Sequence, residues 1–450
     1  MVLKYRQLPA NLLHALVMVI AFGTVICFAI WWFYPSHIPT NFIEGMHVID
    51  IIIFLLVSYI IWHPILMEVL TWAISSKIKP LSPLNPAVGL KVAFITTIVP
   101  ASESVDLLHK ILPAMVNAQY PHDTWLLDEG NNPEVKKICY QYGVKHFSRQ
   151  GVERLNTRVG KFTKTKGGNH NSWYEIEGNN YDIVAQIDTD FIPDSTFLTQ
   201  TLGFFNDPKV AFVGTPQVYG NTQNSLVAKG AAEQLYNFYG PILQGLSAMN
   251  MSLMIGANHI VRVAALKDVD HYTAHITEDL ITGMKLHANK WKSVYVPQAL
   301  AIGEGPFTWG AYFTQQMRWA YGCMDIFFHH SPKLFFKMGF HRMFYYFLLQ
   351  QYYFSGLAMA LSIILLTFYF SFGIRAANID LFKFIMIYSF VGFIIWLVSV
   401  WLQRFHISWK QESELFLAGK IVSIAVLPIY FLAFILVTHV TRLTNKTTIC

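Results

Sequence analysis

Cysteine is nearly missing from this chain: Cys27, Cys139, Cys323 and Cys450 are the four in 450 residues. They lie far apart with no C-x-x-C spacing, which argues against a zinc site or a disulfide framework and agrees with a reducing compartment. Charge is scarce as well, at 13% Asp, Glu, Lys and Arg, and the net +6 is modest for this length. Nucleic-acid binding is therefore not needed to explain it. There is no internal repeat and no low-complexity segment. The first apolar run has no A-x-A cleavage site and is too long for the h-region of a signal peptide, so a retained membrane anchor is expected.

What is abundant is apolar sequence, 54% of residues with 15% aromatic, which does not suit an all-soluble protein. Residues 10–34, 47–73, 343–373, 384–403 and 415–440 are long apolar runs, each at or above the ~20 residues that cross hydrocarbon. Residues 75–335 hold most of the charge between two such blocks. Lys4 and Arg6 precede the first run, Lys77 and Lys79 follow the second, and the short loop between has neither. By the positive-inside bias the central domain should be cytoplasmic. Three C-terminal spans would put Arg442 and Lys446 on the opposite side, so either one run is not a simple span or the bias fails at that end.

After the Pro-rich linker KPLSPLNPAVG (79–89), the central domain alternates strand-like and helix-like stretches. VAFITTIVP (92–100) reads as a buried strand, 104–118 as a helix, TWLLDEG (124–130) as a strand, 132–142 as a helix, then GVKHF and DIVAQIDTD. This alternation predicts an α/β fold with a mostly parallel sheet covered on both faces, and ligands bind such sheets beyond the strand C-termini. Asp128, Asp188 and Asp190 all fall at strand ends and are expected to converge on one crevice. Carboxylates held close repel unless a cation neutralises them, and hard oxygen ligands select Mg²⁺ or Mn²⁺, with a nucleotide diphosphate completing the shell. An ordinary polar turn after a strand would look the same.

Three further stretches carry weaker signals. In RVGKFTKTKGGNHN (158–171), flexible Gly167 and Gly168 would let Lys166 approach a diphosphate, or the stretch is a solvated loop. In HITEDLITGMKLH (275–287), Glu278 and Asp279 open a helix, where Thr277 can act as its cap or a buried Asp can act as a general base. In TQQMRWAYG (314–322), Gln315 and Arg318 share one helical face with Trp319 beside them.

Taken in order, LDEG (127–130), KGGNHN (166–171), DTD (188–190), TED (277–279) and QQMRW (315–319) resemble the membrane-embedded family 2 inverting glycosyltransferases: bacterial cellulose synthase catalytic subunits and the hyaluronan and chitin synthases. The resemblance covers about residues 90–330. It implies a GT-A type nucleotide-sugar-binding domain inserted between two blocks of transmembrane helices. Asp128 would bind the nucleoside side of a UDP-sugar, with Lys166 near it. Asp188 and Asp190 would hold the Mg²⁺ or Mn²⁺ on the diphosphate. Glu278 and Asp279 would be the catalytic pair, Asp279 taking the proton from the acceptor hydroxyl. Gln315 and Arg318 would hold the donor diphosphate, and Trp319 would stack on the acceptor sugar. Gly256, in LMIGAN (253–258), would lie beside the acceptor, with Ile255 where cellulose synthases have Cys. Other departures are Glu129 for the second Asp of the first motif and PASES (100–104) for Pro-x-Tyr-Asn-Glu. The chain ends at NKTTIC, about where relatives carry a gating segment, and no cyclic-dinucleotide regulation is expected.

The expected function is processive synthesis of a β-linked glycan, cellulose-like, from a UDP-sugar, with translocation across the plasma or inner membrane. The alternative is transfer of one sugar to a membrane lipid. A non-catalytic scaffold is disfavoured by intact Asp188, Asp190, Asp279 and Arg318. Partners would be the UDP-sugar, the growing glycan or lipid, and the bilayer, with room for accessory secretion subunits and no nucleic acid. Expected domain limits are 1–78 (two spans), 79–320 (catalytic), 321–342 (an interfacial amphipathic helix) and 343–450 (about three spans). Gln350, Gln351, Tyr352 and Tyr353 would line a glycan path or pack between helices.

Overall fold

The computed structural model describes residues 12–42, 46–256, 258–408, 412 and 415–443. Lys4, Arg6, Lys446 and the final NKTTIC lie outside them. Among the described residues there are ten strands: β1 Val92–Ile98, β2 Asp123–Asp128, β3 Lys145–Phe147, β4 Ile183–Gln186, β5 Phe191–Pro193, β6 Val210–Gly214, β7 Val218–Tyr219, β8 His259–Arg262, β9 Lys292–Tyr295 and β10 Ala301–Gly303. Seven form one sheet in the order β3-β2-β1-β4-β8-β6-β9, and β5-β10-β7 form a second. All pairs of the large sheet are parallel except those of β8, which runs antiparallel to β4 and β6.

The central strands are buried on both faces because apolar side chains occupy both parities of the pleat. From β1, Val92, Phe94 and Ile98 enter a core with Ile111, Leu112 and Phe197, whereas Ala93 and Ile95 enter another with Trp173, Val184 and Val261. The parallel register of β2, β1 and β4 brings the ends of β2 and β4 out on the same edge of the sheet.

Among the described residues, five helices are long and apolar enough to cross a membrane: Leu13–Trp32, His47–Ser75, Phe340–Phe372, Leu381–Phe405 and Leu417–His439. The third is not one regular α-helix. It is built as Phe340–Gln350, a 3₁₀ turn Gln351–Phe354, and Ser355–Phe372. The last breaks between Ala425 and Leu427, just before Pro428, which has no N–H to continue the ladder. Its buried stripe Val422, Val426, Tyr430, Ala433 and Val437 joins the same core as one face of the sheet. It also lies against Leu226–Asn237 so closely that a Cβ on Gly230 would sit 2.7 Å from the Ala418 carbonyl oxygen. The Glu233 carboxylate accepts the Gly419 N–H at 2.6 Å, and Gln316 accepts the Tyr430 hydroxyl at 2.6 Å. The final span is thus bound to the central domain as well as to other spans.

The segment expected as one interfacial helix over 321–342 is instead several pieces. The Trp309–Asp325 helix runs into a π turn Ile326–His330, then Ser331–Met338; Gly339, at φ +81, redirects the chain into Phe340–Gln350. Phe336 and Phe340 are 92% and 75% exposed, while Met338, Tyr345 and Tyr346 are buried. Arg342 points into the domain, donating to the carbonyls of His287 (2.6 Å), Trp291 (3.0 Å) and Asn250 (3.2 Å).

Candidate active site

β4 ends at Gln186, and the next turn carries Asp188 and Asp190 out over the sheet edge. Asp188 is half-buried and forms an ion pair with Lys166, each side chain 34% exposed. Lys166 is the first residue of the Lys166–Ile176 helix, whose cap is Thr165: its Oγ1 accepts the Gly168 N–H at 3.1 Å. The expected flexibility of Gly167 and Gly168 is therefore corrected. Both are buried in the first helical turn, and they are small because their neighbours press close. A Cβ on Gly168 would lie 1.9 Å from the Thr163 carbonyl oxygen, and one on Gly167 would lie 3.3 Å from Glu278 Cγ.

Asp190 opens to the same cavity, and its pKa is pushed up to about 6 by burial and by Asp188. Glu103, which the sequence reading did not single out, stands on this wall and is also pushed up, by burial and then by the nearby Asp188. Burial works against the Lys166 ammonium, but the charges of Asp188 and Glu278 hold its pKa above the ordinary lysine value. Lys166 thus faces several carboxylates, and Arg158 and Lys164 also line this cavity.

Asp279 lies in the first turn of Glu278–Ala288. Its Oδ2 accepts the Gly256 N–H at 2.8 Å and its Oδ1 the Leu280 N–H at 2.7 Å. Burial raises the pKa of both Glu278 and Asp279. Gly256, expected at the acceptor, does line the cavity, but its N–H is engaged by Asp279. Its φ of +79 suits glycine, and a Cβ there would lie 2.5 Å from Gln217 Nε2. Thr277 makes no side-chain cap; its hydroxyl instead meets His275 Nδ1 at 3.0 Å.

Asp128 does not join this group. It is fully buried, and its oxygens accept the N–H groups of Gly130 (2.8 Å) and Asn132 (2.6 Å), with His146 Nε2 at 3.1 Å. The turn after β2 folds back onto its own carboxylate, so the expected convergence of Asp128 with Asp188 and Asp190 is corrected. Glu129 reaches the cavity wall instead, paired with Arg149 at 2.8 and 3.0 Å. Arg149 is fully buried and also donates to the Thr163 carbonyl at 2.8 Å, fixing the loop that leads to Lys166. Nothing in its local sequence marks that role.

Gln315, Arg318 and Trp319 all line the cavity from the Trp309–Asp325 helix. Arg318 is exposed and has no ion pair among the described residues. The cavity, about 3030 Å³, runs from Glu103, Asp188, Asp190, Glu278 and Asp279 past these three residues into the helix block. There it meets Glu68, Tyr352, Tyr353, Ser399, Gln403, Lys420 and Ser423. Gln350 is largely engaged by Ser331 (2.9 and 3.0 Å), and the Gln351 carbonyl by His63 (2.9 Å). Gln350 nevertheless lines the cavity with Tyr352 and Tyr353, whereas the Gln351 amide donates back to the Phe347 carbonyl at 3.2 Å.

Residues 183–403 match the family described as glycosyl transferase family group 2. The chain is 32% identical over 179 residues to a UDP-forming cellulose synthase of Dictyostelium discoideum, covering 38% of this chain and 17% of that protein. It is 24% identical over 242 residues to the UDP-forming cellulose synthase of Pseudomonas fluorescens, covering 52% of this chain and 31% of that protein. Both relatives are described as catalytic subunits, and the chain matches less than a third of the length of either. Among solved structures, a mannosyltransferase from Pyrobaculum calidifontis in complex with GDP-Man and Mn²⁺ superposes with a TM-score of 0.51 at 12% identity, over 83% of this chain and 99% of that one. The chain therefore carries a glycosyltransferase family 2 domain of GT-A fold, related to cellulose synthase catalytic subunits and flanked by helices long and apolar enough to cross a membrane.

Proposed function

We propose that this protein is an inverting, processive glycosyltransferase that builds a β-linked glycan, glucan by preference, from a UDP-sugar and passes it through its own helix block. The observation that carries this reading is the single cavity joining the Asp188–Asp190 and Glu278–Asp279 walls to Tyr352, Ser399, Gln403 and Ser423 among the membrane helices. A site for single transfer to a soluble acceptor would not need that extension.

Asp188 and Asp190 are the residues to hold a divalent cation, Mg²⁺ or Mn²⁺. The fit rests on the donor set: oxygen ligands only, an Asp190 carboxyl that burial and Asp188 push up to about 6, and Glu103 on the same wall. Such a cation supplies positive charge to the diphosphate leaving group. Lys166, Gln315 and Arg318 bind the diphosphate oxygens, Arg318 having no competing carboxylate partner among the described residues. Ionised Asp279, held by the Gly256 and Leu280 N–H groups, takes the proton of the acceptor hydroxyl. The hydroxyl oxygen bonds to the sugar's anomeric carbon from the face opposite UDP, the bond to UDP breaks, and configuration inverts. Trp319 offers the incoming sugar a flat apolar face.

The same reading keeps the catalytic domain on the cytoplasmic side, next to Lys77 and Lys79, and seats the exposed Phe336 and Phe340 in the adjoining leaflet. Phe336→Glu should then lower activity in vesicles; unchanged vesicle activity would contradict this seating.

One observation favours a lipid acceptor as a second reading. Trp396 and Ile424 line the cavity yet are 39% and 69% exposed, so it opens sideways between two spans where lipid would lie. The deciding experiment incubates the detergent-purified protein with Mg²⁺ or Mn²⁺ and a panel of radiolabelled UDP-sugars, then sizes the product. A polymer supports the first reading and a labelled lipid the second. UDP release with no glycosylated product would contradict both.

A further inference from the structure

We infer that His275, Asp325 and His330 form a transition-metal site of the Zn²⁺ class, separate from the carboxylates that face the donor. One ligand atom from each residue lies within 4.8 Å of the others. His275 Nε2 is 2.9 Å and His330 Nε2 is 3.7 Å from Asp325 Oδ2. Bonds of about 2.0–2.1 Å at tetrahedral angles place ligand atoms roughly 3.3 Å apart, between those two spacings. Two imidazoles and one carboxylate leave a fourth position for water or substrate, and imidazole nitrogen favours Zn²⁺ and its neighbours over Mg²⁺.

The chain reaches this arrangement through an irregularity. The Trp309–Asp325 helix passes into a π turn over Ile326–His330, and the wider turn sets both His329 and His330 against Asp325. π turns inside helices are often found at functional sites. Neighbouring groups hold these side chains in place. His275 Nδ1 accepts the Thr277 N–H at 3.1 Å and lies 3.0 Å from Thr277 Oγ1, which keeps Nε2 turned toward Asp325. His329 Nδ1 is 2.9 Å from Asp325 Oδ1, the oxygen facing away from the other two imidazoles. His275 and Asp325 stand on the wall of the large cavity, which gives an ion a way in.

The site joins two pieces of the machinery. His275 is in the loop leading to Glu278 and Asp279, and Asp325 ends the helix that carries Arg318 and Trp319. Between them the helix touches the loop so closely that a Cβ on Gly322 would lie 2.5 Å from Thr277 Cγ2. A metal here pins that junction and makes His275, Asp325 and His330 positioning residues.

The test uses the full-length protein in detergent, stripped with a chelator and titrated with Co²⁺, whose visible absorption is strong in tetrahedral nitrogen-containing sites and weak in octahedral oxygen sites. Wild type should show the strong bands at saturation, and Asp190→Ala should keep them. His330→Ala, at a half-exposed position, and His275→Gln should lose them, with thermal unfolding of each variant checked in parallel. His329→Ala should weaken Co²⁺ binding by roughly 10–100-fold. Absence of strong bands in wild type would overturn the inference, as would bands that survive in a folded His330→Ala or vanish in Asp190→Ala. In those cases Asp325 is only a hydrogen-bond acceptor for its histidines.

Discussion

Asp279→Asn should reduce sugar transfer by roughly 10²–10⁴-fold, the range general-base catalysis supplies, while leaving UDP binding near wild type. Asn keeps the shape of the side chain, and its amide oxygen can still accept the Gly256 N–H. What it loses is the proton-accepting carboxylate. The pH dependence follows from the same group. Burial raises the Asp279 pKa above the ordinary aspartate value, against the Gly256 and Leu280 N–H groups and Lys166, which lower it. Protonated Asp279 cannot accept a proton; kcat/KM should therefore fall as pH drops, on a limb displaced upward from that of an ordinary aspartate. Asp279→Asn should abolish this limb. A variant with full activity, or one that keeps the acid limb, would remove Asp279 from the role.

Asp190→Ala should fail earlier, at binding. Removing an outer partner of a metal ligand typically costs roughly 10–100-fold in metal affinity, so loss of a direct carboxylate ligand should cost at least about 100-fold. Calorimetric titration of UDP with Mn²⁺ should show strong heat for wild type and Asp279→Asn and little for Asp190→Ala. Without metal the order should change: Asp190→Ala removes one of the carboxylates that repel a diphosphate, so its residual metal-free binding should equal or exceed that of wild type. If Asp190→Ala bound UDP–Mn²⁺ as tightly as wild type, the cation would be held elsewhere.

The parts legible in the sequence are those set by local pattern. The β-branched run of β1 and the apolar run ending in Asp188-Thr189-Asp190 identify strands delivering acids to a sheet edge, and the apolar runs identify the spans. Asp128 has the same signature as Asp188, yet the turn through Gly130 and Asn132 takes its carboxylate for its own N–H groups. That choice depends on the path of the chain after the strand. Gly167 and Gly168 look like a flexible hinge, and only the positions of Thr163 and Glu278, the latter more than a hundred residues away in sequence, reveal a tight fit. Arg149 is an isolated basic residue in a loop; its link to Glu129 and the Thr163 carbonyl exists only once the sheet is assembled. The stripe from Val422 to Val437 has helical spacing, but its partner, the Gly230 face of another helix, is a tertiary fact.

The central claim, that one cavity carries the acceptor from the membrane helices to Asp279, is tested most directly by blocking it far from the chemistry. Ser423 lines the cavity from the final span and is only partly buried. Ser423→Trp should leave UDP–Mn²⁺ binding unchanged and cut product formation by about 100-fold, because an acceptor displaced from its line of attack loses the benefit of orientation. Product of wild-type amount and length from Ser423→Trp would contradict the account.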